Sequence, residues 1–400
     1  MTTRNLLAAS AAAFICASAL ADTGAVSGIE GDPILDLRLR VEQVDQDGLD
    51  DTTAATLRAR FGYEARFGNG WSGLVEGEGV LALDDNYSDT IDNIPGKAII
   101  ADPEVLELNR LQLAWNGDKA NATLGRQRII FDDARFVGNV GFRQNEQTFD
   151  ALRLGYTGLE NLTVEYAYID KVHRIFGDDS AMGEFESDSH AIRLGAETAF
   201  GDFVATGLFL DFDESSVASG QTLAIGWSNA WQTDAGKFGL NARFAQQSDY
   251  DGRGPTVDLG YQSYGATYTR DALTVVGGVE ILEGAGGQGF ATPLATLHAF
   301  QGWADVSLIT PAAGIRDLSF GVKGGGVDLI DGAKPANWAL IYHDFDSDNG
   351  AISYGSELDA VFRLPINSWL TFEAKGAVFS GDRGGPADRT KLWLALDANF

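Results

Sequence analysis

Apolar and polar residues alternate along most of this 400-residue chain. Residues 389–400 show the pattern most clearly: the apolar positions are Leu392, Leu394, Leu396, Ala398 and Phe400, and they alternate with Lys391, Trp393, Ala395, Asp397 and Asn399. Because successive side chains of a β-strand point to opposite faces, this period of two predicts a strand with one apolar and one mainly polar face.

The charges in such runs stay on one face. Near the start of the chain Leu35, Leu37, Leu39 and Val41 alternate with Asp36, Arg38, Arg40 and Glu42, and residues 57–67 continue the pattern. An Arg or Lys that faced lipid at the bilayer midplane would cost about 2–4 kcal/mol, so strict segregation is typical of a strand with one lipid-exposed face. We therefore predict a transmembrane β-barrel with a wet interior.

Eighteen runs of this kind can be counted. They cover about residues 35–42, 57–67, 71–81, 105–115, 120–128, 148–156, 162–170, 190–199, 203–212, 221–231, 238–246, 257–268, 273–282, 316–325, 337–345, 353–364, 369–378 and 389–400. An even number places both ends of the barrel in the periplasm. With that orientation the periplasmic turns are short (68–70, 200–202, 365–368), apart from 326–336, and the extracellular loops are long or acidic (44–54, 84–103, 344–350). The predicted fold is an all-β, antiparallel transmembrane barrel of about eighteen strands.

The first residues predict export. Arg4 precedes an apolar run from Leu6 to Leu20, and Ala19-Leu20-Ala21 suits signal peptidase, so we expect residues 1–21 to be a cleaved signal peptide. A membrane anchor is disfavoured because the run is shorter than the about 20 residues that a spanning helix needs. Residues 22–400 then form one barrel domain in the outer membrane of a Gram-negative bacterium. The aromatic end at Phe400 is similar to the signal read by the barrel-assembly machinery.

Charge and residue types exclude several functions. With 57 acidic and 29 basic residues the net charge is −28, which argues against nucleic acid as a partner. The acidic loops suit either a surface beside lipopolysaccharide or solubility alone. The single cysteine, Cys16, lies in the signal peptide, and the four histidines (His173, His190, His298 and His343) show no metal-ligand spacing. We expect no cofactor, no metal and structural histidines.

Three segments resemble a known family. Residues 125–154 (GRQRIIFDDARFVGNVGFRQNEQTFDALRL), 291–306 (ATPLATLHAFQGWADV) and 342–359 (YHDFDSDNGAISYGSELD) are similar to parts of the alginate export family of outer-membrane barrels. The resemblance implies an eighteen-stranded monomeric channel, narrowed by inward loops and lined by arginines that bind carboxylates. Residues 283–314 could be such an inward loop, a lid or a surface excursion.

Arginines are the candidate solute contacts, because a guanidinium stays charged and can bind a carboxylate through two hydrogen bonds. Strand alternation places Arg38, Arg40, Arg58, Arg60, Arg110, Arg153, Arg193 and Arg243 in the lumen. The resemblance adds Arg126, Arg128 and Arg143, with Arg135 as a weaker candidate. A structural role is the alternative, since the inward acids Glu64, Glu76, Glu78, Glu165, Glu197, Glu280 and Glu373 could pair with them. Asn139, Gln144, Asn145 and Gln147 could bind sugar hydroxyls or the backbone.

The sequence supports one leading function and keeps others open. The leading interpretation is an outer-membrane channel for anionic or carbohydrate solutes, including export of alginate or a related polyuronate. The alternative is an uptake porin for small organic anions. A barrel enzyme acting on lipids is less favoured, because the chain has no G-x-S-x-G motif and eighteen strands make a wide tube. A purely structural barrel is a further alternative.

Overall fold

The computed structural model describes residues 30–84, 86–213, 218–330 and 333–400. Its strands are β1 (Glu30–Gln46), β2 (Thr52–Gly68), β3 (Trp71–Asp84), β4 (Val105–Asn116), β5 (Ala120–Gln127), β6 (Thr148–Leu159), β7 (Leu162–His173), β8 (Glu184–Thr198), β9 (Gly201–Leu210), β10 (Gly220–Thr233), β11 (Gly236–Ser248), β12 (Leu259–Arg270), β13 (Leu273–Leu282), β14 (Gly284–Ala285), β15 (Gln288–Gly289), β16 (Ile315–Val327), β17 (Ala336–Asp346), β18 (Ser353–Pro365), β19 (Leu370–Gly381) and β20 (Arg389–Asn399). The predicted signal peptide lies outside the described residues.

Eighteen of these strands form one closed antiparallel sheet, and β14 and β15 form a separate short hairpin. The barrel closes where β1 pairs with both β2 and β20: Leu39 lies opposite Leu57 on one side and opposite Leu396 on the other. Closure gives the backbone of every barrel strand a neighbour on both sides, which is the condition for strands to cross a bilayer. The predicted strand number and antiparallel architecture are confirmed.

The outer surface of the barrel is apolar. On β20, Leu392 and Leu394 are 46% and 43% exposed, whereas Lys391 and Trp393 on the other face are 4% and 1% exposed. Trp71 and Trp115 pair in register where β3 begins and β4 ends, the position of an interfacial aromatic girdle. The chain is thus an outer-membrane barrel. Within the described residues, none of the helical segments has the length and apolarity to cross a bilayer.

The extracellular half of the barrel is filled by its own loops. Inner loop 1 (residues 128–147) and inner loop 2 (residues 283–314) turn inward and join the buried apolar cluster with the wall. The cluster includes Phe136 and Val137 from inner loop 1, and Phe290 and Leu294 from inner loop 2. The end of β16 and the start of β17 lie at the opposite end of the barrel from the two inner loops.

The apolar outer face gives a direct test of membrane placement. Leu394 faces outward between β1 and β19, so Leu394→Arg is expected to destabilise the barrel in bilayers by about 2–4 kcal/mol. Ser263→Arg is the matched control, because Ser263 lines the lumen and a charge there stays in water. Urea unfolding in lipid vesicles measures both variants. Equal stabilities would contradict an outward, lipid-facing position of Leu394.

Candidate functional site

The two inner loops bind each other across the lumen. The Gly138 amide donates to the Leu294 carbonyl at 2.8 Å, and the Thr296 amide donates to the Ala134 carbonyl at 3.0 Å. The Gln147 side chain also donates to the Leu294 carbonyl, at 3.1 Å. Residues 283–314 are therefore a loop folded into the pore, and together with inner loop 1 they form one partition that narrows it.

Several residues of this partition adopt a backbone conformation that L-amino acids rarely take. The φ angles are 52° at Asp132, 64° at Ala134 and 51° at Val140 in inner loop 1, and 51° at Gln301 and 59° at Asp305 in inner loop 2. For a β-branched residue such as Val140 this is an outlier. Such strain persists only where surrounding contacts fix the chain, and it is concentrated at functional sites. Contacts with the surrounding residues therefore hold the partition in one conformation.

A buried ion cluster fastens inner loop 2 to the wall. The carboxylate of Asp305 lies 3.1 Å from Arg143 Nη2, 2.8 Å from Lys391 Nζ and 2.6 Å from His298 Nδ1. Arg143 also binds Glu42 at 3.0 Å. We call Asp305, Arg143, Lys391, His298 and Glu42 the latch. Its charges are buried, so Arg143 is held by protein carboxylates rather than presented to a solute.

His298 in the latch is neutral. Burial lowers the pKa of His298 to about 3, although Asp305 acts in the opposite direction. A neutral ring explains its two contacts: Nδ1–H donates to Asp305, and Nε2 accepts from Lys375 Nζ at 2.6 Å. The ring also stacks on Phe142 with centroids 3.6 Å apart. His298 therefore stays neutral over the neutral pH range.

A second buried group fixes inner loop 1. Glu146 lies 2.5 Å from Arg128 and 3.7 Å from Arg60, and accepts from Asn109 at 2.7 Å. Burial by itself would raise the pKa of Glu146, but Arg60 and Arg128 lower it to about 2. Glu146 is therefore ionised and holds inner loop 1 against β2 and β4.

The predicted arginines fall into two groups. Arg40, Arg58, Arg60 and Arg143 are buried, and they pair with Asp102, Asp36, Glu78 and Glu42 respectively. The weaker candidate Arg135 is also buried. It forms an ion pair with Glu280 at 2.7 Å and donates hydrogen bonds to Thr292 and Gln301 of inner loop 2. These residues hold the partition in place.

The other group is partly exposed to the lumen. It consists of Arg38, Arg110, Arg128, Arg153, Arg193 and Arg243, which pair with Asp397, Glu76, Glu146, Glu165, Asp132 and Asp133 respectively. Arg128 and Arg153 are the most open, each 30% exposed. Each of these arginines thus has an acidic partner, which agrees with the structural alternative, and six are also partly exposed to the lumen, where a solute could reach them.

Arg126 is the exception among the predicted residues. It lies in register with Leu111 and on the same strand face as Leu124, and both leucines are exposed on the outer surface. Its partner Asp150 faces outward beside Leu152, at 2.9 Å. The expectation that Arg126 lines the lumen is corrected: strand alternation already placed it outside, and the supposed family role was the misleading guide.

Below the partition lies a cavity of about 500 Å³. Its lining includes Asp132, Asp133, Arg243, Glu280 and Lys323, so it carries both signs of charge. Lys323 and Asp202 lie near the periplasmic ends of their strands, which makes this cavity the periplasmic vestibule of the pore.

Sequence reasoning missed the centre of the latch. Asp305 lies in an irregular segment where no period assigns a face. His298 lies in the same segment and was expected to be structural, but no sequence signal paired it with Asp305 or with Lys375, which contacts it from β19. Three of the four amide side chains proposed for sugar binding donate to protein groups instead: Gln144 to Thr56, Gln147 to Gly138, and Asn139 to Glu146. Their observed role is to support the loop backbone and its charges.

Solved structures share this architecture at low sequence identity. OccAB4 of Acinetobacter baumannii matches with a TM-score of 0.71 at 16% identity, over 93% of this chain and 98% of that chain. OpdK of Pseudomonas aeruginosa, solved with vanillate, matches at 0.70 and 14% identity, over 92% and 98%. OccK2 (OpdF) of the same organism, solved in complex with glucuronate, matches at 0.67 and 12% identity, over 92% and 98%. The fold is that of the Occ channels.

The expected membership of the alginate export family is wrong. No protein-family profile matches the chain, no curated protein matches it, and the similar solved structures are Occ channels. The segments that suggested the family combine amphipathic strands with polar inward loops. Any barrel with a narrowed, wet lumen needs that combination, so the likeness of these segments does not identify a family.

Proposed function

We propose that this chain is an outer-membrane channel for the uptake of small organic anions. The observation that carries the proposal is the set of six partly exposed guanidinium groups in a lumen whose partition is fixed by buried ion pairs. OpdK and OccK2, which share the fold, were solved with vanillate and glucuronate, and both of those ligands are small carboxylates. The uptake alternative is therefore better supported than passage of a polymer.

The arrangement suits weak, repeated binding of a carboxylate. A guanidinium can replace part of the hydration shell of the anion with two hydrogen bonds. Each lumenal arginine already shares its charge with an acid, as Arg153 does with Glu165, so no single position holds the solute strongly. Conduction needs this balance, because binding must be favourable at entry and weak enough for release. The concentration gradient then sets the direction of net movement.

The architecture points to a channel rather than an enzyme. An eighteen-stranded barrel encloses a water-filled tube, and its polar groups here pair with each other or face the passage.

We further propose that the chain acts as a monomer and that its outer surface contacts lipid and lipopolysaccharide. We also propose that residues 1–21 direct its export and that Phe400 is read during barrel assembly.

Flux measurements test the proposed solute class. The purified protein in liposomes is expected to pass glucuronate and vanillate faster than glucose, which has a similar size to glucuronate and no charge. Single-channel recordings are expected to show anion selectivity. Equal rates for glucuronate and glucose, after allowance for their diffusion coefficients, would overturn the proposal.

Arg153 offers the cleanest single-residue test. It is partly exposed, and its partner Glu165 keeps a second contact to Arg193 at 3.3 Å, so Arg153→Gln leaves no unpaired buried acid. The variant is expected to lower glucuronate flux by about three- to tenfold and to leave glucose flux unchanged, because one charge-assisted contact is lost.

Arg66→Gln is the matched control for Arg153→Gln. Arg66 is an exposed arginine paired with Asp32 at the periplasmic end of the barrel. Glucuronate flux through the Arg66→Gln variant is therefore expected to equal that of the unmodified protein. A parallel fall of glucuronate and glucose flux in Arg153→Gln would show a change of pore shape. No change in either flux would remove Arg153 from the solute path.

A further inference from the structure

A histidine and two carboxylates meet at the extracellular rim of the barrel. His173 ends β7, Glu184 begins β8 and lies opposite His173 in register, and Asp178 lies in the loop between these strands. One potential ligand atom from each residue lies within 4.8 Å of the other two. The group belongs to the rim of the outer wall, so the pore described above does not use it.

The distance between two of these atoms matches a metal site. His173 Nδ1 lies 3.4 Å from Glu184 Oε1. Two ligands at about 2.0–2.1 Å from a tetrahedral Zn²⁺ are separated by about 3.3 Å, which follows from the tetrahedral angle. The other carboxylate oxygen of Glu184 accepts from Lys171 Nζ at 2.9 Å, so Oε1 is left to face the histidine.

The remaining nitrogen of His173 is held by a carboxylate. Nε2 lies 2.9 Å from Asp150 Oδ2, and Asp150 is itself bound by Arg126 Nε at 2.9 Å. Because Nε2–H donates this hydrogen bond to Asp150, Nδ1 is the ring nitrogen left to bind a metal. Metal-binding histidines are commonly oriented by a carboxylate in this way.

With the ring held in this orientation, His173 Nδ1 is available as a metal ligand. The His173 side chain is 6% exposed, and within the described part of the chain its Nδ1 takes no hydrogen bond. Its lone pair and the oxygen of Glu184 are both electron donors, and they face each other. A cation between them would satisfy both.

The charges around the group are also unbalanced. Arg126 and Lys171 are the cations, while Asp150, Asp178, Glu184 and Glu186 are the acids in the same set of contacts. These four acids and two cations leave two negative charges in excess, which is the charge that a divalent ion supplies. An imidazole ligand favours a transition metal over Ca²⁺ or Mg²⁺, which prefer oxygen ligands alone.

We propose that His173, Asp178 and Glu184 bind a divalent transition-metal ion of the Zn²⁺ class, with water as the fourth ligand. The ion joins the end of β7, the start of β8 and their connecting loop, so it fixes this part of the extracellular rim. Asp150 acts as a positioning residue, and Arg126 orients Asp150. The proposal gives Arg126 a role on the outer wall, where the structure places it.

The full-length barrel in detergent, stripped with a chelator, is the material for the test. Isothermal titration with Zn²⁺ is expected to give one ion per barrel with a micromolar or tighter Kd. Co²⁺ is expected to produce the visible absorption of a tetrahedral site, and Zn²⁺ is expected to remove it. The binding heat of Zn²⁺ and the visible absorption of Co²⁺ should both persist in a large excess of Ca²⁺ and Mg²⁺.

Matched variants separate the site from general surface charge. His173→Gln, Asp178→Asn and Glu184→Gln are each expected to abolish the Co²⁺ spectrum and to weaken Zn²⁺ binding about 100-fold. Asp150→Asn is expected to weaken binding about 10- to 100-fold while the tetrahedral spectrum remains. Glu186→Gln is the control, since Glu186 contacts Lys171 and is not one of the three ligands.

Three outcomes would overturn the proposal. These are the lack of stoichiometric Zn²⁺ binding, displacement of Zn²⁺ by equimolar Ca²⁺, and equal losses of affinity in Glu186→Gln and Glu184→Gln. Heat-dependent migration in SDS gels shows that each variant is a folded barrel, so a loss of binding cannot be confused with misfolding.

Discussion

Excision of inner loop 2 is expected to raise the single-channel conductance several-fold and to abolish discrimination between glucuronate and glucose. Leu282 and Ile315 are register partners on β13 and β16, so an Asn-Gly turn can replace residues 283–314 without stretching either strand. The change removes Phe290 and Leu294 from the buried cluster and Asp305 from the latch. An eighteen-stranded barrel without that partition is a wide, weakly selective tube.

Planar bilayer recordings and liposome flux measure this effect. Deletion of residues 383–387, in the exposed loop between β19 and β20, is the matched control and is expected to leave conductance unchanged. An unaltered conductance after excision of inner loop 2 would contradict the role assigned to the partition. A higher conductance with intact discrimination would place selectivity elsewhere in the pore.

Glu42→Ala is expected to destabilise the folded barrel by about 3–5 kcal/mol, because it removes one of the three buried acids that balance Arg40, Arg143 and Lys391. Glu42 lies 3.0 Å from Lys391, 3.0 Å from Arg143 and 3.5 Å from Arg40, and it is 1% exposed. Without Glu42, three buried cations share only two acids, Asp102 and Asp305, in a space with little water. Inner loop 2 should also loosen, because Arg143 and Lys391 are the residues that bind Asp305.

Urea unfolding in lipid vesicles measures the loss of stability. Fluctuations of the single-channel current measure the mobility of inner loop 2. Glu42→Gln is expected to lie between the native protein and Glu42→Ala, since the amide keeps hydrogen bonds but not the charge. Asp32→Ala is the control, because Asp32 pairs with Arg66 in an exposed position and solvent screens that pair. Similar unfolding curves for Glu42→Ala and Asp32→Ala would contradict the latch.

The sequence was sufficient for the barrel itself. The alternation at Leu392, Leu394 and Leu396 predicts both the strand and its outward face, and the structure exposes all three side chains. The same period locates eighteen strands, and the parity of that number assigns the loops to the two sides of the membrane. These features are readable because the face of a side chain in a strand depends only on the local backbone.

Resemblance was a poorer guide than periodicity. The resemblance places Arg126 in the lumen because the residue lies in a segment similar to another family, although its strand alternates with Leu124 facing outward. The observed pairing of Arg126 with Asp150 follows the alternation. Short segments under the same physical constraints look alike across barrels, so they identify an architecture more safely than a cargo.

What only the tertiary structure decided is which side chains meet inside the tube and at its rim. Arg143 and Asp305 are 162 residues apart, and their contact depends on two irregular loops entering the lumen from different strands. His173, Asp178 and Glu184 have no regular spacing, because the loop between β7 and β8 brings them together. A period of two assigns each strand residue to a face, but an ion pair depends on distance in space, and the irregular loops carry no period that could predict it.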